Sequence, residues 1–114
     1  MNKICTSIEQ SKKLMELGID VNAADMYWDY DVIKHEDYPM VMDEQFDDCC
    51  IPAWSLSALL GLIPKPLLGQ HLESGYWECT TWEDFNVVKE VHGQDNPLDA
   101  AFEMVVWLKE NGKI

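Results

Sequence analysis

Apolar and polar positions repeat with two different periods along this chain, and the changes of period divide it into seven elements. Ile8, Leu14, Met15 and Leu17 fall on one side of a helix, while Glu9, Lys12, Lys13 and Glu16 fall on the other. Thr6 followed by Glu9 has the spacing of a capping box, and Gly18 supplies the stop. From Met26 to Asp43 the texture becomes short aromatic and β-branched runs broken by acids. Tyr27 to Ile33 reads as a strand and Tyr38 to Met42 as its return, with His35-Glu36-Asp37 as the turn. Pro39 cannot donate to a ladder, which places the return strand at an edge or starts it there.

Asp43 to Asp48 is an acidic connector. Ser55 then caps a short helix that runs to Leu62 and is stopped by Pro64. Leu56, Ala58, Leu59, Leu60, Leu62 and Ile63 make this helix apolar nearly all round, the pattern of a helix covered by the core or by a partner. Tyr76 to Thr81 and Phe85 to His92 read as two further strands joined by a turn at Thr81 to Asp84. The loop Gly93 to Asn96 ends in a helix start: Asp95 or Asn96 as cap, Pro97 in the first position, and Gly112 beyond the end. Leu98, Ala101, Phe102, Val105 and Leu108 form its stripe, widened by Met104, Val106 and Trp107. The predicted class is α+β: two β-hairpins forming an antiparallel sheet, with an N-terminal helix, a short central helix and a C-terminal helix packed on it. No repeat or linker interrupts residues 1–114, which read as a single acidic domain.

Charge changes the picture most. The net charge is −13, and all eight basic residues are lysine. Nucleic-acid binding takes much of its affinity from cations that displace phosphate counterions, so direct binding of DNA or RNA is excluded as an expectation, and anionic membranes with it. The longest charge-free run, Cys49 to Pro64, carries two prolines and a glycine and is too short to span a bilayer. Cys5, Cys49, Cys50 and Cys79 have no CxxC spacing, and Met1 to Ser7 does not resemble a signal peptide. Reduced thiols in the cytoplasm are the expectation.

Three stretches carry a resemblance: Cys5-Thr6-Ser7-Ile8-Glu9-Gln10-Ser11-Lys12-Lys13-Leu14; Ile51-Pro52-Ala53-Trp54-Ser55-Leu56-Ser57-Ala58-Leu59-Leu60; and Pro97-Leu98-Asp99-Ala100-Ala101-Phe102-Glu103-Met104 leading to Trp107-Leu108-Lys109-Glu110-Asn111-Gly112. Together, about a third of the chain, they resemble small uncharacterised proteins found in phage and other mobile-element DNA of gut bacteria. The resemblance implies a genomic setting. It implies no activity and transfers no functional residue.

Candidate chemistry is sparse. Asp25 to Glu36 has the twelve-residue length of a calcium-binding EF-hand loop, with acids at its first, fifth, seventh and twelfth positions. Tyr27 and Tyr30 stand where that loop needs a ligand and a glycine. In a strand, Asp29 and Asp31 instead share a wet face, with Trp28 and Tyr30 on the other. His35, His71 and His92 lack metal-ligand spacing. Cys49 and Cys50 follow Asp43, Glu44, Asp47 and Asp48, an electronegative setting that raises a thiol pKa and opposes nucleophilic use. GxSxG, P-loop, GxGxxG and HExxH motifs are missing. No catalytic, cofactor-binding or metal-ligating residue is assigned.

Five tryptophans remain to be housed in a small domain, and tryptophan is favoured at contact hot spots. Trp54 and Trp82, at a helix start and in a turn, are the first candidates for a surface patch, with Leu56 and Leu60 beside Trp54. The expectation is a cytoplasmic, non-enzymatic acidic interaction protein. It binds a protein partner, a second copy or, as a variant, a nucleic-acid-binding protein whose ligand it mimics. The alternative is a small divalent-metal-dependent enzyme or ligand-binding domain using the carboxylates of the first hairpin.

Overall fold

The computed structural model describes residues 4–29, 40–41 and 50–114. Helix α1, Ile8–Glu16, begins one residue later than the Thr6–Glu9 spacing predicts. Ser7 is the cap: its hydroxyl accepts from the Gln10 N–H at 3.1 Å, and Gln10 Oε1 accepts from the Ser7 N–H at 3.0 Å. Glutamine closes a capping box as glutamate does, so the motif is kept and only its register moves. Gly18, at φ 85°, terminates the helix as expected, in a conformation that a side chain would strain.

After one 3-10 turn at Val21–Ala23, β1 (Met26–Asp29) pairs antiparallel with β2 (Met40–Val41) and with β3 (Cys50–Ala53), giving a first sheet of order β2-β1-β3. The β1–β2 pairing joins the two segments read as the first hairpin; the turn proposed at His35 to Asp37 lies outside the described residues. Strand β3 was not anticipated. It takes Pro52 into a sheet edge, where a residue without an N–H is tolerated.

Helix α2, Leu56–Leu62, is capped by Ser55, whose hydroxyl accepts from the Ala58 N–H at 3.2 Å. Next come β4 (Pro66–Gln70), β5 (Trp77–Glu83) and β6 (Asn86–Gln94), an antiparallel second sheet of order β4-β5-β6. Only Asp84 and Phe85 separate β5 from β6, and Asp84 takes φ 55°, a conformation that aspartate tolerates better than most side chains. Helix α3, Pro97–Glu110, has Asn96 as its cap, accepting from the Asp99 N–H at 2.8 Å, and Gly112 beyond its end at φ 67°. The α+β class and its three helices stand as read. Among the described residues the strands divide between two sheets, not the single sheet the sequence predicts.

Helix α3 packs against β4, β5, β6 and α2, and eight of its residues are buried. The main core gathers Leu14 of α1, Trp54, Leu59 of α2, Cys79 of β5 and Leu98 and Leu108 of α3. Each fully buried leucine contributes about 1.5–3 kcal/mol by leaving water. A smaller cluster, Cys5, Trp28, Ile51 and Ala53, lies on the first sheet.

Thr6 ties the N-terminus to the strands. Its hydroxyl accepts from the Trp54 N–H at 3.0 Å and meets the Ser11 hydroxyl at 2.8 Å. Its N–H donates to the Trp54 carbonyl at 2.9 Å, and its carbonyl accepts from the Trp28 indole at 3.0 Å. All of this is buried, so each of these groups depends on its partner. Among the described residues no helix is long and apolar enough to cross a membrane.

Candidate functional site

The second sheet has two unlike faces. Leu68, Cys79 and Val91 stand side by side across β4, β5 and β6, and all three belong to the main core beneath α3. Lys89, two residues from Val91, reaches the same side and lies over the Trp107 ring of α3, 5.4 Å from its centre. Side chains alternate along a strand, so the neighbouring row Leu67–Thr80–Glu90 turns the other way. Glu78 joins it beside Gly69, and Trp82 lies opposite Val87.

This outer face is open. Leu67 is 58% exposed and Val87 41%, and Phe85, at the β5–β6 turn, is 96% exposed. Trp82 is half-buried, and Thr80 in the middle strand is buried among its neighbours. Along the strands, Trp82 and Val87 lie nearest the β5–β6 turn, Leu67 and Glu90 flank Thr80 in the next row, and Glu78 lies beyond them with His92 beside it.

His92 lies between two carboxylates, with Nδ1 2.9 Å from Glu78 Oε2 and Nε2 3.1 Å from Glu90 Oε2. Hydrogen bonds to Glu78 and then Glu90 raise its pKa above the ordinary 6.5, because both favour the imidazolium. Both ring nitrogens are engaged by carboxylate oxygens, an arrangement that the imidazolium satisfies by donating from each.

The residues singled out in the sequence separate sharply. Trp54 is fully buried, which overturns its place in a surface patch. It follows strand β3 directly and is held by its backbone to Thr6, so its ring enters the main core. Its indole N–H has no hydrogen-bond partner among the described residues. Leu56 and Leu60 are half-buried and pack on that same core, so the apolar surface of α2 is largely used internally. Only Trp82 keeps an outward position. Trp28 is buried, Trp77 and Trp107 pack half-buried on the main core, and Tyr76 is 49% exposed at the start of β5.

The acidic run at the first hairpin has one member with a described side chain, Asp25. It is already occupied: its carboxylate accepts from the Ser55 N–H at 2.9 Å and also bonds the Ser55 hydroxyl. The side chains of Asp29, Asp31, His35, Glu36 and Asp37 lie outside the described residues, as do those of Cys49 and Cys50. No group of three or more His, Cys, Asp and Glu side chains suited to a metal ion occurs among the described residues. Burial pushes the Cys79 thiol up to about 11, which makes it a poor nucleophile near neutrality.

Leu67, Glu78, Val87 and Glu90 were not singled out by sequence reasoning. A signal for Leu67 existed: Pro66-Leu67-Leu68-Gly69-Gln70, bounded by Pro64 and Gly75, is a short apolar run with a proline at its first residue, as an edge strand allows. Val87 was hidden by a bulge. The β5–β6 register shifts between Thr81 and Trp82, so Val87 faces outward although Lys89 and Val91 face α3. Set against known proteins, the chain matches no protein-family model, no curated protein and no solved structure.

Proposed function

We propose that the chain is a non-enzymatic interaction protein that works in the cytoplasm by holding another protein. The observation that carries this reading is the outer face of β4-β5-β6, where exposed Leu67 and Val87 flank half-buried Trp82, with Phe85 exposed at the adjoining turn, on an otherwise strongly acidic molecule. Exposed apolar side chains grouped on one face cost solubility, and they are found where a partner covers them. The high negative charge offsets that cost and repels unwanted company, nucleic acids and anionic membranes included.

Affinity capture from cell extract at low and at high salt, followed by reconstitution with the purified partner, tests the reading. The expected result is a complex of fixed stoichiometry that survives size-exclusion chromatography. A protein that stays monomeric and retains no stoichiometric partner at either salt concentration overturns it.

A further inference from the structure

We propose that the open face of β4-β5-β6 docks a positively charged amphipathic helix of another protein, its apolar stripe on Leu67, Trp82 and Val87 and its cations at Glu78 and Glu90. The proposal rests on the interaction reading above and names the chemistry of the partner.

Shape argues for a helix. The opposite face of the same three strands is already covered by a helix, α3, of 14 residues. The seven residues of β5 span about 23 Å at about 3.3 Å per residue. A helix rising about 1.5 Å per residue covers that length in roughly 15 residues, about four turns. A second helix would complete a three-layer arrangement with the sheet in the middle.

Charge selects the sign of the helix and excludes a second copy. Glu78 and Glu90 are 41% and 49% exposed on the face, and Glu83 and Asp84 are exposed at the adjoining β5–β6 turn. The nearest lysine on β6, Lys89, is turned to the other side and engaged with Trp107. A partner copy would bring a further −13 charges to this surface, so self-association works against repulsion. A cationic helix gains from the carboxylates what it needs for orientation and encounter rate, and from the apolar side chains what it needs for a long residence. The carboxylates of Glu78 and Glu90 lie beside the Leu67 anchor, and Trp82 and Val87 continue the apolar strip towards the β5–β6 turn.

The test uses the full chain and three synthetic 18-residue peptides: a leucine/lysine amphipathic helix, a lysine/serine peptide of equal charge, and a leucine/glutamate helix of equal apolarity. Binding is followed by calorimetry in moderate salt. The leucine/lysine helix is expected to bind one to one, and each of the other two at least about tenfold more weakly, since neither supplies both anchor and charge. Glu78→Lys/Glu90→Lys is expected to weaken it at least about tenfold. Leu67→Ser/Val87→Thr, at exposed positions, is expected to do the same through the lost anchor. Glu103→Lys/Glu110→Lys on the far side of α3 makes the identical change in net charge and is expected to have less than about a threefold effect. Circular dichroism confirms that each variant is folded.

Equal weakening by the two lysine pairs would show adsorption driven by net charge and overturn the proposal. So would undiminished binding to the Leu67/Val87 variant, or a dimer abolished by that variant. If a captured protein partner still binds all these variants normally, the docking proposal fails while the interaction reading stands. If no partner and no peptide binds, both fail.

Discussion

Thr6 shows how much one hydroxyl can be asked to do. It accepts from a backbone N–H and shares a hydrogen bond with Ser11, in a place where neither partner has water as an alternative. Replacing it with isosteric valine strands the Trp54 N–H and the Ser11 hydroxyl. Thr6→Val is expected to lower unfolding free energy by about 1–3 kcal/mol, read from denaturant midpoints, while Thr6→Ser loses much less. An unchanged midpoint in the valine variant would show that these bonds contribute nothing net. His92 makes the opposite case, a strong local geometry in an exposed place. Its bonds to Glu78 and Glu90 raise the folded pKa above 6.5, so its proton stabilises the folded state fully below that pH. The contribution disappears as pH climbs through the raised value. An NMR titration should place the His92 midpoint above 6.5 and bring it down in Glu78→Gln/Glu90→Gln; a wild-type midpoint at or below 6.5 would refute the clamp. The same proton neutralises part of the acidic end of the outer face, so a cationic ligand gains nothing from acidification.

At the scale of elements, the helices are specified mainly by their ends. Ser7, Ser55 and Asn96 each cap through a side-chain oxygen that accepts from a backbone N–H three residues on. The cap of α2 carries a second duty, because Asp25, just before β1, grips both the N–H and the hydroxyl of Ser55. Ser55→Ala therefore removes a cap and a tie between the first sheet and α2. A loss of about 1–2 kcal/mol is expected from thermal or denaturant melts, the upper part of the usual range for a cap. Asp25→Asn, which retains one accepting oxygen, should cost less; a larger loss in Asp25→Asn than in Ser55→Ala would reverse the assignment of roles. The strands obey a different economy. In β4, β5 and β6 a single residue of register decides whether a side chain meets α3 or open solvent, and the bulge before Trp82 makes that choice for Val87.

Over the whole molecule, 21 acidic residues face eight lysines. The radius of gyration is 14.4 Å, shorter than the Debye length of about 30 Å at 0.01 M salt and longer than the roughly 3 Å at 1 M. In dilute buffer each carboxylate therefore feels most of the others, and folding has to concentrate that charge. Stability is expected to rise between 0.01 M and 1 M sodium chloride, with Tm increasing by several degrees in calorimetry. A Tm that falls over that range would mean that favourable ion pairs outweigh the repulsion. The proposed docking of a cationic helix on the second sheet relies on this same field.

What the amino-acid order determined alone is whatever depends on neighbours in the chain. The stripe of α3 from Leu98 to Leu108, the Ser55 cap with the Pro64 stop, the glycines at 18 and 112 and the excess of acid are local patterns, and each carries its own physical meaning wherever the chain goes. What only the tertiary structure decided is whatever depends on pairing between distant segments. Among the described residues two sheets stand where one was expected, because β3 pairs with β1 and β4 with β5, and a short apolar run does not announce which strand it will join. Trp54, just past β3, is held at the core by its backbone bonds to the distant Thr6, and Trp82 stays outward because a strand offers two faces and the register that the rest of the fold imposes chooses between them.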